Sequence, residues 1–116
     1  MITILNATRE FNKVEKFKMT VGQSITSMKD VPDNTEIEVD GFITFEDGDE
    51  TTGEINTITS ILATDGNIYA FQSKTFRNML QDINMIADGE KYTIKKISGK
   101  TKAGRDYINC DLVSIG

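Results

Sequence analysis

Six cations, Lys91, Lys95, Lys96, Lys100, Lys102 and Arg105, fall within fifteen residues that contain no acid. Cations at this density suit one kind of chemistry: they replace the counterions of a polyanion, such as a phosphate backbone. Their placement is selective, because the chain of 116 residues carries a formal net charge of -5. The acids gather elsewhere, with ten of the eighteen Asp and Glu between residues 30 and 54 and no Lys or Arg among them. A single lysine would say little, since Lys commonly keeps edge strands from pairing with other chains. Six of them beside Tyr107 point to phosphate contact.

A protein that grips single strands also needs flat faces for unpaired bases, each stack contributing about 1–3 kcal/mol. Tyr69 and Phe71 alternate on one face of IYAFQ, Tyr107 points away from the Ile108 and Cys110 face of DYINCDL, and Phe45 ends EIEVDGFITF. Phe fills cores by habit, whereas the Tyr hydroxyl tolerates water, so the tyrosines are the stronger candidates. Lys16 and Lys18 extend the expected positive groove of Lys95, Lys96, Lys100, Lys102 and Arg105.

Other chemistries find no residues. The chain has no histidine, which removes Ser-His-Asp triads, Cys-His pairs and His-containing zinc sites. An EF-hand starting at Asp47 would need Gly and Glu where Thr52 and Ile58 stand. No Walker A or dinucleotide glycine motif is present. The lone Cys110 excludes an internal disulfide and reads as a core filler between Ile108 and Leu112. No catalytic residue, metal or cofactor is expected.

The length fits one domain. No apolar run is long enough for a bilayer, and the N-terminus lacks a basic segment, a continuous apolar segment and a cleavage site. A cytoplasmic protein with no membrane partner is expected. In VEKFKMTVG, Phe17, Met19 and Val21 alternate with Lys16, Lys18 and Thr20, which predicts an N-terminal strand within residues 1–24. SITSMKDVPDNT reads as a connection ending in a turn at Pro32 to Asn34. EIEVDGFITF is a strand whose Ile37, Val39, Ile43 and Phe45 share a face, with Gly41 marking a bulge or bend. After the acidic EDGDETTGE come a strand from about Ile55 to Ala63, a TDGN turn, IYAFQ, and a helix capped by Ser73 and running through Ala87. YTIKKIS and DYINCDLVSI close the chain as strands.

From Pro32 the order is three strands, a helix and two strands, the order of an OB-fold, a mainly β five-stranded barrel with one helix between strands 3 and 4. Residues 25–116 are the expected barrel and residues 1–24 the extra N-terminal strand, within one domain of residues 1–116. GKTKAGR is then the loop between strands 4 and 5, one of the loops such barrels use to bind oligonucleotides.

SMKDVPDNT, ILATDGNIYAFQSKT and KKISGKTKAGRDYINCDL together resemble the single-stranded DNA-binding proteins of small tailed bacteriophages with protein-primed replication. The similarity runs from about Ser27 to Leu112. The resemblance implies a protein that coats displaced single-stranded DNA in the infected bacterial host's cytoplasm, with little sequence preference, and leaves room for self-association along the DNA. It assigns base stacking to the positions of Phe45 and Tyr69. A further family tyrosine falls in the loop where this chain has only polar and acidic residues, Glu46 to Glu54. The chain stops at LVSIG without an acidic tail, so tail-mediated recruitment of partners is not expected. A rival from another class is a phage-encoded inhibitor that presents residues 30–54 to a host protein as an acidic surface.

Overall fold

Strand β3, Glu36–Gly48, organises the molecule, and its most consequential residue is an extra one. Its pairing with β4 (Ile55–Ala63) slips between Val39 and Gly41, leaving Asp40 as a β-bulge. Because side chains alternate with period 2, one inserted residue exchanges the two faces. Ile37, Val39 and Phe42 therefore lie in the main core, whereas Ile43 and Phe45 point to the opposite side and join a second cluster. The sequence expectation that all four apolar residues from Ile37 to Phe45 share a face is corrected by this bulge, at the place Gly41 had marked.

The computed structural model describes residues 1–116, in one curled sheet with two helices. One edge of β3 is taken by β4; the other is shared by β6 (Tyr92–Lys100) along Glu36–Val39 and by β1 (Ile2–Ala7) along Ile43–Asp47. β5 (Ile68–Phe71) pairs antiparallel with β4, and β2 (Ile25–Ser27) adds to β5 in parallel. β7 (Asp106–Ile115) pairs with β6, giving the order β2-β5-β4-β3-β6-β7. β5 and β7 do not pair, so the half-barrel stays open between them. Ser73 bridges that opening by donating from Oγ to the carbonyl of Ile108 at 3.3 Å.

Helix α2, Lys74–Ala87, begins where Ser73 Oγ accepts from the Phe76 N–H and ends at Asp88 in the left-handed conformation. Its apolar stripe of Phe76, Leu80, Ile83 and Ala87 fills the concave side of the sheet. The other side is covered by α1, Lys13–Thr20, and by Phe11, which lies where a β carbon on Gly41 would come within 2.8 Å of its ring.

The helix α1 replaces the strand expected over VEKFKMTVG. Asn12 and Glu15 form a capping box, each side chain accepting from the other's backbone N–H, at 2.8 and 2.9 Å. Lys, Glu and Met then continue it, and the alternation that suggested a strand is incidental. The N-terminal strand is β1, Ile2–Ala7, which precedes this segment in the chain. The expected connection at Ser24 to Thr35 also holds more order, namely β2 and a 3₁₀ turn at Met28–Asp30. No helix is long and apolar enough to cross a membrane.

Candidate nucleic-acid interface

The β6–β7 hairpin is closed by a tight tip in which Gly104 takes φ +81°, the Thr101 N–H donates to the Arg105 carbonyl at 2.9 Å, and the Gly104 N–H donates to the Thr101 carbonyl at 2.9 Å. That geometry leaves Lys102 and Arg105 exposed without an ion pair. Lys100 pairs with Asp106 at 3.2 Å, but both side chains are open to water, so the bond is weak and a phosphate can replace Asp106. The other three cations of the run are spent differently. Lys91 sits 4.0 Å from Asp40, and Lys95 stands opposite Glu36 on β3 and Asp111 on β7.

Lys96 is a correction to the expected groove. It is only 5% exposed, and its Nζ donates to the carbonyls of Val31 at 2.6 Å and Lys29 at 3.4 Å, with Asp33 Oδ1 at 3.6 Å. Its charge ties the 3₁₀ turn to β6, and only a small part of the residue reaches the furrow wall. Ser98 reinforces the tie by donating to Asp33 Oδ2 at 2.6 Å.

Beside the hairpin runs a furrow of about 870 Å³ through the opening between β5 and β7. Its walls include Lys29, Gln72, Ser73, Lys100, Tyr107 and Ile108. A smaller lobe of about 310 Å³, sharing Lys29 and Gln72, continues to Ile25, Ser27, Ile58 and Ala70. Tyr107 is 39% exposed and lies against its cross-strand partner Gly99, where a β carbon would come within 2.7 Å of its hydroxyl. The missing side chain seats the ring on the backbone, so it stays in place without being buried.

The remaining aromatic candidates separate by burial. Phe45 is 2% exposed beneath Phe11 and Met19, and Phe71 is 5% exposed with its ring centroid 4.2 Å from that of Phe76. Both are core residues: the bulge at Asp40 sends Phe45 under α1, while the edge of Phe71 reaches the wall of the smaller lobe. Tyr69 is half-buried against the main core and does not line the furrow. Lys16 and Lys18 are exposed on α1, on the sheet face opposite α2, and are also outside the furrow walls.

Lys29, Gln72 and Ser73 are wall residues that sequence reasoning missed. For Lys29 a signal existed: it is the only cation between Lys18 and Lys74, inside the quoted SMKDVPDNT. Three acids of residues 30–54 have partners within the molecule. Asp33 is bound to Ser98 and Lys96, Asp40 to Arg9 at 2.9 Å, and Asp49 accepts from the Thr51 and Thr52 N–H groups, which hold its carboxyl below the usual range.

Residues 2–113 match a family model described as phage single-stranded DNA-binding protein. A single-stranded DNA-binding protein of Bacillus phage phi29 is 28% identical over 91 residues, covering 74% of this chain and 73% of the relative. No solved structure matches significantly.

Proposed function

Since the chain belongs to the family of phage single-stranded DNA-binding proteins, we propose that it coats and protects strands displaced during phage DNA replication, through the furrow beside the β6–β7 hairpin. The observation that carries the site is the Tyr107 ring seated on Gly99 at the furrow wall, with Lys29 and Lys100 in the same wall and Lys102 and Arg105 at the hairpin tip. The ring supplies a stacking face that any base can use, and the cations release counterions from the backbone. Neither interaction reads a base edge, so binding is independent of sequence. Tyr69 is an accessory face near the start of β5, and Lys95 adds to the field without a direct contact.

The sheet is read as an OB-fold: β3, β4 and β5 stand for its first three strands, α2 for its helix, and β6 and β7 for the last two. Residues 25–116 form the barrel and residues 1–24 the extension of a single domain. The protein binds and does not catalyse, and it works in the cytoplasm of the infected host. The family match favours this reading over an inhibitor that presents residues 30–54, of whose ten acids Asp33 and Asp40 are engaged within the molecule.

Titration with oligo-dT at several salt concentrations tests this, read by Tyr fluorescence, since the chain has no Trp. Affinity falls steeply with salt, and replacing both Lys102 and Arg105 by Gln lowers the log–log slope by about 1.4, at about 0.7 per phosphate contact on a single strand. A flat salt response, or equal affinity for duplex, refutes the proposal.

A further inference from the structure

Helix α1 turns its apolar residues outward. Of its eight residues only Met19 is buried, while Val14 and Phe17, with Val21 at the C-cap, are 61, 59 and 54% exposed. At 3.6 residues per turn these three cluster on the face opposite Met19; Lys13 and Lys18 border them, and Lys16 stands further round the helix beside Lys13. None of the three lysines forms an ion pair. The one acid of the helix, Glu15, is held by Arg9 at 2.9 Å and by the Asn12 cap. An apolar centre rimmed by unpaired cations is complementary in charge and character to a strand that alternates phosphates with flat bases.

The position of α1 is as telling as its composition. Ile25 and Ile58 pack against the cluster beneath α1 and also wall the smaller lobe of the furrow. Residues packed beneath the helix therefore reach the end of the furrow remote from Tyr107. We infer that single-stranded DNA leaving the furrow continues over α1, with Phe17 as a second stacking surface and Lys13, Lys16 and Lys18 as phosphate contacts. This rests on the single-stranded DNA reading above and extends it to a separate surface.

The test compares two oligo-dT lengths, about 5 nucleotides to fill the furrow and about 16 to reach beyond it, within the span of OB-fold site sizes. Phe17→Ala lowers affinity for the long oligonucleotide about tenfold and leaves the short one unchanged. Replacing Lys13, Lys16 and Lys18 together by Gln lowers the salt slope for the long oligonucleotide by about 2. Thermal unfolding of each variant separates these effects from loss of the fold, which the exposure of all four side chains disfavours. Equal effects on both lengths, or no effect on either, overturn the inference. Should anionic lipid vesicles bind the protein and lose it in these variants while both oligonucleotides bind normally, the face belongs to a membrane surface and the inference is wrong. Loss of short-oligonucleotide binding in Tyr107→Ala bears on the furrow alone, so the two readings fail independently.

Discussion

A single methyl group at Gly99 is expected to disable the stacking platform without touching DNA itself. Its β carbon would lie 2.7 Å from the Tyr107 hydroxyl oxygen, 2.8 Å from Cζ and 3.1 Å from Cε1. Non-bonded carbons rest at about 3.5–4.0 Å, so the ring must move by roughly 1 Å or swing away. The backbone has no objection to alanine, which stabilises a strand by about 0.5–1 kcal/mol relative to glycine. Gly99→Ala therefore unfolds at the wild-type urea concentration or slightly above it. Binding loses up to one stacked base, about 1–3 kcal/mol, which is roughly 5- to 150-fold in oligo-dT affinity. The assay is a titration of dye-labelled oligo-dT, read by fluorescence anisotropy, with wild type, Gly99→Ala, Tyr107→Ala and the double variant. In the Tyr107→Ala background there is no ring to displace, so Gly99→Ala adds nothing, and the cycle is strongly non-additive. Wild-type affinity in both single variants, or full additivity in the cycle, refutes the reasoning.

Lys96→Met keeps the aliphatic stem but leaves the Val31 carbonyl without its donor at 2.6 Å, so stability in urea falls by about 1–3 kcal/mol. An unchanged midpoint would show that Lys96 is not the tie between β6 and the 3₁₀ turn. Burial pushes the Cys110 thiol from its ordinary 9.0 up to about 12 and raises the Tyr92 hydroxyl above its ordinary 10.0. The folded protein thus keeps protons that the unfolded chain releases, and stability falls as pH rises above about 9, by about 1.4 kcal/mol per pH unit for each proton. Urea unfolding between pH 8 and 11 shows this decline, and Cys110→Ala removes the part that begins near pH 9; a flat profile in the wild type contradicts it.

Much of the fold was legible because it rests on local chemistry. The Ser73 cap, the Pro32 to Asn34 turn, the Asp65 and Gly66 turn and the bulge near Gly41 each follow from what neighbouring residues permit, and each stands where its residues put it. The stretch around Phe17 misled because eight residues are too few to separate a period of 2 from one of 3.6, and the Asn12 and Glu15 box was the better guide.

By itself the sequence determined that one hairpin would be basic within an acidic protein, that it would follow a capped helix, and that histidine chemistry was absent. Only the tertiary structure decided which of those residues face a ligand. Register and bulging are properties of strand pairs: one extra residue at Asp40 sent Phe45 under α1, and the carbonyls of Val31 and Lys29, about 65 residues away in sequence, took the Lys96 ammonium. The same pairing placed Tyr107 on Gly99, and so turned one tyrosine among three into an open face.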